Sequence, residues 1–299
     1  ATMKGPAMKS ISLASIPVNF IGLYALGYSF FLVPEFTGTH QRGFYCDDES
    51  ITKEFKENTI SIPQLLIASI LACFLTTIIC EWYISLTDKS SATEKYSYRS
   101  FKVPTFLINA LTFFGYSHIG FIAQLALIQV PKYSVGRLRP HFLDVCQPTG
   151  YTCTFPHQFI TNYTCSGTHS YNLRESRLSF FSGHAATALF TTVFLSIYLE
   201  TRLSIRGVSK KLLRAIQISL LAVSLWVCHT RLTDNFHHPT DVLTGIVFGA
   251  VVGFYTASHL AGLLDYKEGF VPVENPKGGR FLVPFTVHSG TVIAMTMPL

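Results

Sequence analysis

The stretch Val103–Val130, VPTFLINALTFFGYSHIGFIAQLALIQV, contains no Asp, Glu, Lys or Arg. About 20 apolar residues in a helix cross the hydrocarbon core of a bilayer, and this run is longer than that. An open strand cannot satisfy its backbone in lipid, so the stretch reads as a transmembrane helix. Five further gaps between charges read the same way: Ile11–Val33, Pro63–Leu86, Leu178–Leu199, Ala215–His229 and Val242–Leu264. The second is broken only by Glu81, and Ala215–His229 gains a turn from Leu212 and Leu213. The predicted fold class is an all-α integral membrane protein with six transmembrane helices in one bundle.

Composition agrees. Charged residues make up 13% of the 299 residues and apolar ones 48%, with 25 Phe, a balance unlike that of a soluble domain. The net charge of +6 does not indicate nucleic acid, because the basic residues sit in short loops beside the spans, where topology accounts for them. Of the 23 Lys and Arg, 14 fall in the N-terminus, the loops 87–102 and 200–214, and the tail. The positive-inside rule then places both termini in the cytosol. The expected organisation is a cytosolic N-terminus (1–10), a six-helix membrane domain (11–264) with outer loops 34–62, 131–177 and 230–241, and a flexible cytosolic tail (265–299). The first span is too long for the apolar region of a signal peptide and is expected to stay as a signal anchor.

Two features of the outer loops fit this orientation. Asn162-Tyr163-Thr164 is an N-glycosylation sequon, so Asn162 is a candidate glycan site. Cys46, Cys146, Cys153 and Cys165 also lie there, where disulfides form. Four cysteines allow three pairings, and spacing does not choose among them.

Three clusters on the outer side carry chemistry. The first is Lys132 to Pro140 (KYSVGRLRP), the second Ser182-Gly183-His184, and the third Thr230-Arg231 followed by His237 and Asp241. Lys132 and Arg139, seven apart, would share one face of a helix, whereas Arg137 is read as structural. With Arg231 they supply cations that match a phosphate, the guanidinium as a planar fork and the ammonium as a compact charge. Ser182 and Gly183 would add a hydroxyl and the N–H groups of a helix start. His237 and Asp241 are four apart, so on a helical turn the carboxylate would orient the imidazole. His237 is thus the candidate nucleophile, Asp241 its orienting partner and His184 the general acid and base. A metal at His237, His238 and Asp241 is disfavoured, since the nearby cations would repel it; no metal or cofactor is expected.

Lys-x6-Arg-Pro, Ser-Gly-His and Arg-x5-His-x3-Asp, in this order, resemble the signature motifs of the type 2 phosphatidic acid phosphatase superfamily. Lys132–Cys146 (KYSVGRLRPHFLDVC) and Arg177–Ala185 (RLSFFSGHA) are similar to the animal lipid phosphate phosphatases. The resemblance spans roughly residues 10–265. It implies Mg-independent hydrolysis of phosphatidate, lysophosphatidate, ceramide 1-phosphate and sphingosine 1-phosphate at the outer or lumenal face, through a phosphohistidine. It also implies homo-oligomers; the plasma membrane is the expected location, with an endomembrane the alternative that the sequence leaves open. The same roles carry onto Lys132, Arg139, Ser182, Gly183, His184, Arg231, His237 and Asp241. Phe181 stands where the wider superfamily often has Pro, and Thr230 where it usually has Ser. Two other classes remain: a non-catalytic scaffold that binds lipid phosphates, and a transporter. The intact histidines count against the first, and the placement of charge at helix ends rather than mid-membrane against the second.

Overall fold

The structure, a computed structural model, describes residues 9–12, 21–29, 38–87, 96–98, 101–168, 170–264 and 286–288. Helices are numbered in chain order: α1 (21–29), α2 (Ile62–Thr87), α3 (Thr105–Val135), α4 (Phe142–Cys146), α5 (Ser170–Glu175), α6 (Gly183–Leu203), α7 (Lys210–Thr233) and α8 (Pro239–Tyr255). The helix α8 runs on into one π-helical turn, Thr256–Leu260. Among the described residues, five helices are long and apolar enough to cross a bilayer: α2, α3, α6, α7 and α8. They match five of the six expected spans to within a few residues. Of the remaining one, Ile11–Val33, only 21–29 is described as helix; most of it, like most of the segments 1–10 and 265–299, lies outside the described residues.

The spans divide into inner and outer helices. Ile67, Leu71, Leu75 and Ile79 on α2, and Ile218, Leu221, Leu225 and Trp226 on α7, are exposed. Water would penalise so much open apolar surface, whereas lipid does not. The helix α6 is the inner one, with Phe190, Phe194, Leu195 and Tyr198 buried. It packs on α8 through small residues. A Cβ at Gly245 would sit 2.5 Å from the Ser182 carbonyl oxygen, and one at Gly249 2.1 Å from that of Ala186. Glycine at this spacing lets two backbones touch. That contact fixes the start of α8 against the start of α6, where two of the three sequence clusters lie.

A small cap covers the same end of the bundle. Phe44, Ile51, Leu138, Phe142, Cys146 and Ile160 form its core, and Arg177 stacks on Phe142 and Tyr163. Disulfides join Cys46 to Cys153 and Cys146 to Cys165, which selects one of the three pairings left open by spacing. Asn162 is exposed on this cap. The cap is tied to the helices by Lys53 N–H to the Pro140 carbonyl (2.8 Å) and Thr59 N–H to Asp234 (2.9 Å).

Candidate active site

The first cluster does not continue as a helix. Gly136, in the left-handed conformation (φ 57°), ends α3, and its N–H caps the Lys132 carbonyl. A side chain there would also run into the His40 carbonyl, 2.2 Å from an added Cβ. So Lys132 lies in the last turn of α3 and Arg139 beyond it, and the two do not share a helical face. They meet through the turn instead. Glu175 closes it: Arg139 Nη2 donates to its carboxylate at 2.8 Å. Burial pushes the Glu175 carboxyl up, but the charges of Arg139, Lys132 and Arg174 outweigh that and hold it below the usual range.

The second cluster opens α6 as expected. Ser182 is the N-cap, with its hydroxyl accepting from Ala185 N–H at 3.4 Å, so part of its capacity goes to the helix. The Lys132 ammonium sits over this helix start, 3.9 Å from where a Gly183 Cβ would be. His184 Nε2 lies 3.0 Å from the Ile60 carbonyl. A carbonyl only accepts, so Nε2 carries the hydrogen and Nδ1 is left to shuttle a proton.

The third cluster brings the other half. Arg231 is fully buried and donates to Thr230, Asp234 and Asn58 at 2.8–3.1 Å. The Phe236 ring lies under both Arg139 (5.0 Å) and Arg231 (5.7 Å), which holds the two guanidinium groups near one another. His237 follows, with its N–H bonded to the Arg231 carbonyl at 3.2 Å. Burial, then the charges of Arg139 and Lys132 and the ring of His184, hold the His237 imidazole neutral, far below its ordinary pKa. The residues picked out in the three clusters therefore converge at one end of the bundle.

The expected contact between Asp241 and His237 is absent among the described residues. The helix α8 begins only at Pro239, with His238 as its N-cap, so 237 and 241 do not share a helical turn. Asp241 instead accepts from Arg137, from Ser179 Oγ at 2.6 Å and from His238 N–H at 3.0 Å. His237 Nδ1 donates to the Ser179 carbonyl at 2.7 Å. That bond still leaves Nε2 with its lone pair, the form a nucleophile needs.

Sequence reasoning missed Glu175, Asp234, Ser179 and His141 as parts of this site. Arg231 and Asp234 form an i,i+3 pair, a spacing that could have revealed the latter. Glu175 ends the six-residue helix α5, too short to show a period, and Ser179 lies in the irregular connection after it. His141 is buried, with Nδ1 2.9 Å from the Asn235 carbonyl, and burial with the Arg139 charge pushes its pKa down to about 4.

A helical membrane bundle thus carries, at one end, basic side chains around a helix start and a neutral, oriented imidazole. The PAP2 superfamily profile matches residues 111–261. The chain is 36% identical to the Caenorhabditis elegans phospholipid phosphatase homolog 1.2 homolog, over 78% of this chain and 69% of that one. Against phospholipid phosphatase 1 of Rattus norvegicus the identity is 33%, covering 86% and 88% of the two chains. Against phospholipid phosphatase 2 of Bos taurus it is 34%, covering 80% and 78%. No solved structure matches the chain. The chain belongs to the PAP2 superfamily, and with it to the membrane-bound lipid phosphatases.

Proposed function

We propose that this protein hydrolyses the phosphate monoester of lipid phosphates, namely phosphatidate, lysophosphatidate, ceramide 1-phosphate and sphingosine 1-phosphate, through a phosphohistidine at His237. The observation that carries the reading is His237 itself. Its Nδ1 is pinned to a carbonyl, and it is buried within electrostatic reach of Lys132 and Arg139. In the first step His237 Nε2 attacks phosphorus and the ester P–O bond breaks. His184, whose Nε2–H stays on the Ile60 carbonyl, takes a proton on Nδ1 from the incoming phosphate monoester and gives it to the departing alkoxide, which leaves the ring neutral. In the second step His184 takes a proton from water, the hydroxide displaces His237, and inorganic phosphate leaves. Lys132, Arg139, Arg231 and the start of α6 stabilise the charge on the equatorial oxygens, with Ser182 and Gly183 shaping that helix start. No metal enters these steps.

The site faces the extracellular or lumenal side in this reading, at the plasma membrane, with both termini cytosolic. Two cystine bridges on the same end of the bundle support that side, because such bonds persist in oxidising compartments. Asn162, exposed on the same cap, is then open to glycosylation.

The test is phosphate release from lysophosphatidate in detergent micelles containing EDTA. His237→Ala is expected to abolish it, by a factor of about 10³ or more. Full activity in that variant rejects the mechanism. Tight binding of lipid phosphates without turnover by the wild type would instead favour the scaffold reading.

A further inference from the structure

Ser179 is fully buried, and all three of its polar groups are engaged. Its N–H donates to the Arg137 carbonyl at 2.9 Å. Its hydroxyl donates to Asp241 Oδ2 at 2.6 Å. Its carbonyl accepts from His237 Nδ1 at 2.7 Å. The guanidinium of Arg137 returns to Asp241 Oδ1 and to Thr240, so Arg137, Ser179 and Asp241 form a closed ring.

We infer that Ser179 is a positioning residue through which Asp241, held by Arg137, sets the orientation of the His237 ring. This rests on the reading of His237 as nucleophile. The carbonyl that fixes the His237 tautomer belongs to the residue whose hydroxyl the carboxylate holds. Bonds on the N–H, which lies in the preceding peptide plane, and on the hydroxyl anchor the residue from which that carbonyl projects. Removing the hydroxyl leaves the carbonyl in the chain but removes one of its two anchors. Misplacing a reacting atom by about 1 Å costs on the order of a hundredfold in rate. Substrate phosphate is held by other groups, so binding should change little.

The experiment compares wild type with Ser179→Ala, Asp241→Asn and the double variant, measuring kcat and KM for lysophosphatidate per folded molecule. Ser179→Ala should lower kcat about tenfold to a hundredfold with KM within about twofold. The double variant should lose little more than the worse single one, as for residues acting in one chain. Ser179→Cys, close in volume and a weak donor, should recover part of the loss; it replaces the alanine in the comparison if that variant does not fold. Wild-type kcat without the hydroxyl, losses that multiply in the double variant, or a change confined to KM would each overturn the assignment. His237→Ala in the same assay separates the two ideas. Turnover by that variant removes the nucleophile, whereas a dead His237→Ala beside a fully active Ser179→Ala removes only the role of Ser179.

Discussion

The bundle carries charge at both ends, and the two ends are built differently. At the end away from the site, Glu81 on α2 and Arg202 on α6 are almost wholly enclosed, with side chains 1% and 2% exposed. Arg202 grips both carboxylate oxygens at 2.6 and 2.7 Å, and Tyr198 and Asn109 add one bond to each. At the site end the pairs are more numerous, and two of them include a partly exposed side chain: Arg139 with Glu175, Arg231 with Asp234, Arg137 with Asp241. Lys132 adds an ammonium to them, and the side chains of Glu175 and Arg137 are 19% and 31% exposed. A bidentate pair with both oxygens saturated offers nothing to a ligand and serves to hold helices together. Arg139, paired with the partly exposed Glu175 and joined by the Lys132 ammonium, can exchange a carboxylate for a phosphate. The same residue types thus give a fastener at one end and, in the function proposed above, a phosphate site at the other.

The contrast breaks most sharply at Glu81. Replacing it with Ala strands Arg202 in the bundle and should lower stability by about 3–5 kcal/mol, read as a fall in the unfolding temperature in detergent. The molecules that remain folded should keep their kcat. A kcat loss as large as that from a site variant would dissolve the distinction between the ends.

A somewhat smaller effect should appear with pH. His141 has its pKa pushed down to about 4, and His237 is also held neutral by burial. Both would titrate near 6.5 in the unfolded chain. As pH falls below that value, the unfolded chain binds protons that the native protein refuses, so stability is full above about 6.5 and declines toward 4. His141 alone should account for a loss on the order of 3 kcal/mol at the acid limit. Glu175, held below its ordinary value, adds to the loss only further down, as pH falls from its unfolded pKa through its folded one. Unfolding temperatures measured from pH 7.5 to 4.5 should slope for wild type and slope less in His141→Gln, with His237 and His184 supplying the remainder; parallel slopes would show that His141 contributes nothing to the acid sensitivity.

The smallest effect sharpens the comparison from the site side. Glu175→Gln removes an anion from among the site cations, and a phosphate should then bind better. The expected change is a two- to threefold fall in KM, worth less than about 1 kcal/mol, with inorganic phosphate inhibiting correspondingly better. A rise in KM would mean that Glu175 orients Arg139 for the substrate rather than competing with it.

Much of this was legible beforehand, for a simple reason. A bilayer demands long uncharged runs, and the stretch from Val103 onward shows one without any three-dimensional information. The reactive residue types were equally plain, because Lys132, Arg139, His184, Arg231 and His237 are unusual at the ends of such runs. Spacing failed where it assumed a helix that the chain does not make. Gly136 stops α3 before Arg139, and Pro239 starts α8 after His237. Periodicity therefore named the wrong partner for Asp241.

The order of residues determined where the membrane segments lie and which side chains gather at one of their ends, since burial in lipid is a property of local composition. Only the folded arrangement decided who bonds to whom: Asp241 to Ser179, Arg139 to Glu175, Cys46 to Cys153. For Asp241 and Arg139 the choice depends on where each helix begins and ends, and for Asp241 also on the glycine contacts between α6 and α8. Hydrogen bonds form over about 3 Å, a precision that spacing along a chain does not specify.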